Sequence, residues 1–90
     1  MSNIRLKDFL DQWDKLEKGN AEQVFSIGFV QKNGEARFVN RAVKSGVRYS
    51  MKDNEHRACL PVDQDGNATD HVIPFSIWRV TQFNGNNVIL

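Results

Sequence analysis

The chain has 90 residues, 40% of them hydrophobic with six Phe and two Trp, enough for one modest core and one domain over residues 1–90. Charged residues of both signs make up 26% with a formal net charge of +1, which excludes a disordered chain and a uniformly basic nucleic-acid-binding domain. No apolar run is long enough for a membrane span, Arg5 and Lys7 among Asp8 and Asp11 do not make a secretion signal, and a single Cys excludes an internal disulfide, so a reducing, cytoplasmic setting is expected.

Apolar residues at Leu6, Phe9, Leu10, Trp13 and Leu16 fall on one face at helical spacing. Lys7, Asp8, Asp11, Asp14, Lys15 and Lys18 occupy the other face, with Asp11–Lys15 and Asp14–Lys18 in the favourable acid-first order. A helix over residues 4–18 is predicted, capped by Asn3 or Ser2 and stopped by Gly19-Asn20.

From residue 23 the period changes to two, and a β-meander is predicted over residues 23–90. Phe25, Ile27 and Phe29 lead into Asn33-Gly34, a strong hairpin signal. A two-residue turn there would place Phe29 opposite Phe38, Ile27 opposite Asn40 and Phe25 opposite Ala42. One face would then be aromatic and buried, and the other would carry Val30, Arg37, Val39, Arg41 and Val43. A turn at Lys44-Ser45-Gly46 would lead to a short strand over residues 47–51 and a polar loop over 52–55. The run over residues 57–62 contains Pro61 and reads as an edge or bulged strand. Residues 64–67 read as a turn and 71–75 as extended, because the residue before Pro74 is pushed out of the helical region. Asn84-Gly85 closes a last hairpin that sets Val80 opposite Ile89 and Thr81 opposite Val88, with residues 88–90 completing the sheet and Ile89 facing the core. The expected fold is α+β: an N-terminal helix followed by a small, antiparallel, SH3- or OB-like, partly open barrel of five or six short strands.

The charge is uneven: net −1 over residues 1–22, +4 over 23–57 and −2 over 58–90. Within the basic block, Arg37, Arg41, Lys44, Arg48 and Tyr49 could track a phosphate backbone and stack on a base, so the basic face of residues 37–57 is a candidate nucleic-acid surface. Trp78, with Phe75 and Arg79 beside it, has the composition of a protein-interface anchor, and the helix face around Trp13 is a second candidate contact. Nucleophile elbow, P-loop and dinucleotide fingerprint are missing, so no catalytic residues, no cofactor and no enzyme activity are expected. His56, Cys59, Asp63 and His71 lack the tight spacing of a zinc site, and no metal is expected. Asp63-Gln64-Asp65-Gly66 reads as a turn rather than a calcium loop.

The run Phe29-Val30-Gln31-Lys32-Asn33-Gly34-Glu35-Ala36-Arg37, an apolar strand with lysine, Asn-Gly and arginine, resembles the opening hairpin of small SH3-like β-barrel proteins of uncharacterised function from bacteriophages and mobile elements. Ile77-Trp78-Arg79 adds to the likeness, which covers residues 24–90 and not the helix. Pro61, Pro74 and the closing Asn84-Gly85 hairpin depart from that pattern. The resemblance implies a phage-encoded assembly or host-factor-binding protein. The expected function is thus a non-enzymatic protein-interaction module with a protein partner, and the alternative is a nucleic-acid-binding small barrel.

Overall fold

The computed structural model describes residues 2–45 and 55–90. In chain order these form β1 (Asn3–Arg5), α1 (Leu6–Asp14), β2 (Phe25–Val30), β3 (Ala36–Ser45), β4 (His56–Pro61), β5 (Ile73–Ser76), a 3-10 turn (Ile77–Arg79), β6 (Val80–Phe83) and β7 (Asn86–Ile89). The strands make one sheet in the order β1-β7-β6-β2-β3-β4-β5. Every neighbouring pair is antiparallel except β1 with β7. The sheet is unclosed, with β1 and β5 at its two ends, and its seven strands exceed the five or six expected.

The helix is shorter than its periodicity suggests, Leu6–Asp14 rather than residues 4–18, and its N-cap is Arg5 with no side-chain cap. At the front, residues 3–5 are drawn into the sheet beside β7, where Ile4 opposite Val88 is buried at 9% exposure. Pairing with a strand satisfies those backbone groups, so neither Asn3 nor Ser2 is needed as a cap. At the back, the Lys44 ammonium donates to the carbonyls of Trp13 (3.0 Å) and Leu16 (3.2 Å), a cation placed where the helix dipole favours one. The Glu17 N–H is taken by Gln23 Oε1 at 2.7 Å, so Asp14–Lys18 never becomes a helical pair.

The first hairpin is also built differently. Gly34 has φ +90° but Asn33 is not left-handed, so the loop is a type I turn followed by a glycine bulge rather than a two-residue turn. Gly34 N–H donates to Gln31 C=O (2.9 Å) and Gln31 N–H to Glu35 C=O (2.8 Å). The extra residue slips the register by one: Val30 pairs with Ala36, Phe29 with Arg37, Gly28 with Phe38 and Ile27 with Val39. A slip of one residue reverses every side chain. Val39 therefore enters the core at 7% exposure, and Phe38 turns out to solvent at 56%, which overturns the expected Phe29–Phe38 pair. Phe38 lies across Gly28, where a Cβ would stand 3.4 Å from its ring, a cross-strand aromatic cover for a glycine in a central strand. A second irregularity adds a residue to β3 between Val39 and Ala42 and restores Phe25 opposite Ala42, as the alternation predicts.

β3 continues through Ser45, so Lys44 and Ser45 belong to a strand and not to a turn. The expected strand over 47–51, Gly46 and the loop over 52–54 lie outside the described residues. β4 is an interior strand between β3 and β5, not an edge. Pro61 is tolerated there because it closes the strand, beyond the last β5 partner at Ile73 opposite Cys59. The turn after it forms as expected, with Asp63 Oδ1 accepting from the N–H groups of Asp65 and Asn67, both at 2.9 Å. The closing hairpin keeps the predicted register, Gln82 opposite Asn87 and Phe83 opposite Asn86, because both Asn84 (φ 50°) and Gly85 (φ 81°) are left-handed. Ile89, however, is 44% exposed and does not face the core; Val88 packs against it instead, and Leu90 extends beyond the strand at 88% exposure.

The helix lies over one sheet face and closes a single core. Leu6, Phe9 and Trp13 meet Phe25, Ile27, Phe29, Ala42, Cys59, Phe75, Val80 and Phe83. Edge-to-face contacts connect Phe9 to Phe83 (4.9 Å), Trp13 to Phe25 (5.2 Å) and Trp13 to Phe75 (5.6 Å).

Candidate protein-binding cleft

The end strand β5 curls back over the sheet until Phe75 stacks on Phe29 of β2, centroids 5.2 Å apart at 21°. β2 loses its β6 neighbour just beyond that level, since the last pair is Phe29 with Val80. The 3-10 turn crosses the end of the sheet, and the Arg79 guanidinium reaches over to donate to Gln31 C=O at 3.1 Å. Between β5 and the end of β2 a cleft of about 580 Å³ remains, floored by Phe29 and Phe75 and rimmed by Lys32, His56 and Arg79. That size is in the range of small-ligand and peptide sites. A second depression of about 490 Å³ lies beside α1, but it is lined by Asp8, Asp11 and Lys15 among other polar residues and its one apolar lining residue is Ile4.

Ser76 sets the rim. Its extended backbone (φ −81°, ψ 135°) ends β5, and its Oγ accepts the Trp78 N–H at 3.3 Å. The tight turn buries Ile77 at 7% exposure and throws Trp78 outward at 57%. Trp78 thus stands between Ser76 and Arg79, both of which line the cleft. Of the four proposed contact residues, Trp78 and Arg79 are on the surface. Phe75 (4% exposed) and Trp13 (1%) are core residues in contact with each other, so neither can meet a partner directly.

The basic strand is largely occupied. Arg37 forms an ion pair with Asp70 at 2.7 Å, and the Arg41 Nε–H donates to Asp63 C=O at 3.4 Å. Lys44 closes the helix C-terminus and lies 5.8 Å from the Trp13 ring centre. Arg48 and Tyr49 lie outside the described residues. The Asp70 carboxyl is held below its ordinary pKa, first by the His71 N–H that donates to it and then by Arg37. His56 and His71 are exposed, Asp63 belongs to its turn, and Cys59 is in the core; among the described residues no three His, Cys, Asp or Glu side chains gather as metal ligands.

Burial pushes the Cys59 thiol up from its ordinary 9.0 to about 12, with Arg37 opposing only in part. The thiol is therefore expected to resist a bulky alkylating reagent in the folded protein and to react on unfolding. Because its folded pKa is raised, the stabilisation from holding it neutral is complete below about pH 9 and is lost as pH rises toward 12. Native labelling as fast as in urea would contradict the burial.

Sequence reasoning singled out Trp78 and Arg79 but missed the cleft, because Lys32, His56 and Ser76 come from three segments that only the curl of β5 assembles. One local signal was present: Ser76 two residues before Trp78, a side-chain cap that marks a turn. The fold and the cleft define a small α+β domain with an open, mostly antiparallel sheet and an apolar slot at one end of it. Comparison with family models, curated proteins and solved structures finds no match. No helix among the described residues is long and apolar enough to cross a membrane.

Proposed function

We propose that this chain is a non-enzymatic protein-interaction module that docks a partner at the cleft and its Trp78–Arg79 rim. The observation that carries this reading is the 57% exposure of Trp78 between two cleft-lining residues. Exposing a tryptophan costs solvation, and tryptophan with arginine around a desolvated pocket is the usual make-up of a binding hot spot. We further read the curled sheet as a partly open small barrel of the SH3 or OB kind, supported by the stacking of Phe75 from the end strand on Phe29 of a central one. A bacteriophage or mobile-element origin rests on the resemblance carried by the opening hairpin and Ile77-Trp78-Arg79, and action in the host cytoplasm on the single cysteine; both belong to the same proposal.

Nucleic-acid binding through Arg37, Arg41 and Lys44 is the weaker reading, since each already has a protein partner. The two are separated by one set of measurements on three proteins: the natural chain, the Trp78→Ala/Arg79→Ala variant and the Arg37→Ala/Arg41→Ala variant. Both variants should melt close to the natural chain, as surface changes within about 0.5 kcal/mol do. Capture of a protein partner from source-organism lysate should be lost in the first variant only. Generic DNA should bind weakly at about 50 mM and at about 200 mM salt alike, without the steep loss that phosphate neutralisation produces. Tight, salt-sensitive DNA binding abolished by Arg37→Ala/Arg41→Ala would overturn the protein-module reading.

A further inference from the structure

We propose that the cleft takes an extended peptide of alternating acidic and apolar residues, which pairs as an added strand with the outer edge of β5; this rests on the protein-module reading and names its partner chemistry. β5 is the last strand of the sheet, and among the described residues none pairs with its outer edge. The Ile77 N–H donates to Glu55 C=O at 2.8 Å, which puts His56–Ser76 in the non-hydrogen-bonded position of the β4–β5 ladder. The backbone polar groups of Pro74 and Ser76 therefore point away from β4 and toward the cleft side. Proline has no N–H to offer, so Ser76 is the one residue of β5 that presents both a donor and an acceptor there. An incoming strand then has a single register, set at Ser76. Its side chains alternate between two faces. One set would meet Val30, Ile73 and Pro74, the accessible apolar lining above the buried Phe29–Phe75 stack, which favours apolar residues. The other would lie along Lys32, Arg79 and His56, and among the described residues no Asp or Glu lines the cleft, so the complementary charge is negative. Main-chain pairing with pockets for alternate side chains is the general mode of strand addition. A nucleic-acid strand would meet Lys32 and Arg79 but leave the edge of Ser76 and the apolar lining unused.

The test is an NMR titration of the full 90-residue chain with two blocked heptapeptides, one alternating glutamate and valine and the other lysine and valine, and with a dodecathymidine strand. The acidic peptide should shift and protect the Ser76 amide and bind at least about tenfold more tightly than the basic one. Ser76→Pro, compatible with φ −81°, should remove binding while Ser76→Ala, which loses only the turn cap, should keep it. Lys32→Glu with Arg79→Glu should reverse the preference between the peptides, and this arm stands even if Ser76→Pro fails to fold. Equal affinity for both peptides, an unmoved Ser76 amide, unchanged binding by folded Ser76→Pro, or oligonucleotide binding in the cleft would each overturn the proposal. If the peptide arms fail while Trp78-dependent capture of a protein persists, strand addition is wrong and the module reading stands; if both fail, both are wrong.

Discussion

Trp13→Ala is expected to remove about 3–5 kcal/mol of stability, the range for deleting a fully buried large aromatic. Trp13 is 1% exposed and touches the rings of Phe9, Phe25 and Phe75 at 6.0, 5.2 and 5.6 Å. The ring couples α1 both to the centre of the sheet and to its end strand, so its loss leaves a void between three elements that cannot all close on it. Hydrogen bonding contributes nothing to this loss, because the indole N–H is buried with no acceptor among the described residues. For the same reason Trp13→Phe should cost much less than Trp13→Ala, since it keeps a ring and removes an unpaired donor. A domain of this size has about 5–15 kcal/mol in total, so the alanine variant should unfold at far lower urea, as circular dichroism would measure. An unchanged urea midpoint together with lost partner binding would mean that α1 is an interface and not part of the core.

Truncation after Asn87 should be the other severe change. The reason is not burial of Ile89, which is 44% exposed, but the position of β7 between β6 and β1. Removing residues 88–90 deletes the partners of Ile4 and Arg5 and uncovers the core beside Val88. With only Asn3–Asn87 left of that pairing, β1 has no other strand to pair with among the described residues, and the start of α1 is anchored to it directly. Losing Val88 and unseating Ile4 together removes burial worth roughly 1.5–3 kcal/mol for each fully buried side chain. The truncated chain should give little soluble protein or a broad, non-cooperative melt. Removing Leu90 alone, 88% exposed and outside the strand, should leave the melting midpoint within the range of a surface change, about 0.5 kcal/mol. A cooperative melt of the longer truncation near the full-length temperature would show that β1–β7 pairing is dispensable.

Much of this architecture is legible in the residues themselves. Leu6, Phe9 and Trp13 at helical spacing do form the buried helix face, and Phe25, Ile27 and Phe29 do form the buried strand face. Asn84-Gly85 sets its hairpin register because both residues adopt positive φ with little strain. Local signals of this kind act over two to seven residues and need no knowledge of the rest of the chain.

What the tertiary structure decided is where elements distant in sequence meet. The same Asn-Gly dipeptide at Asn33-Gly34 takes the bulged turn, which puts Val39 in the core and Phe38 outside; dipeptide chemistry admits both loops, and burial of Val39 in the common core selects one. β1 is extended only because β7, more than eighty residues away, offers it a parallel edge. α1 ends early because Lys44, from β3, reaches its final carbonyls. The cleft belongs to this second group: Lys32, His56, Ser76 and Arg79 are unremarkable singly, and the curl that stacks Phe75 on Phe29 brings them around one slot. Residue spacing by itself determined the helix face and the alternating strands; long-range pairing and burial determined the strand order, the register of the first hairpin, the exposure of Trp78 and the site, because those depend on contacts whose partners are set by the whole core at once.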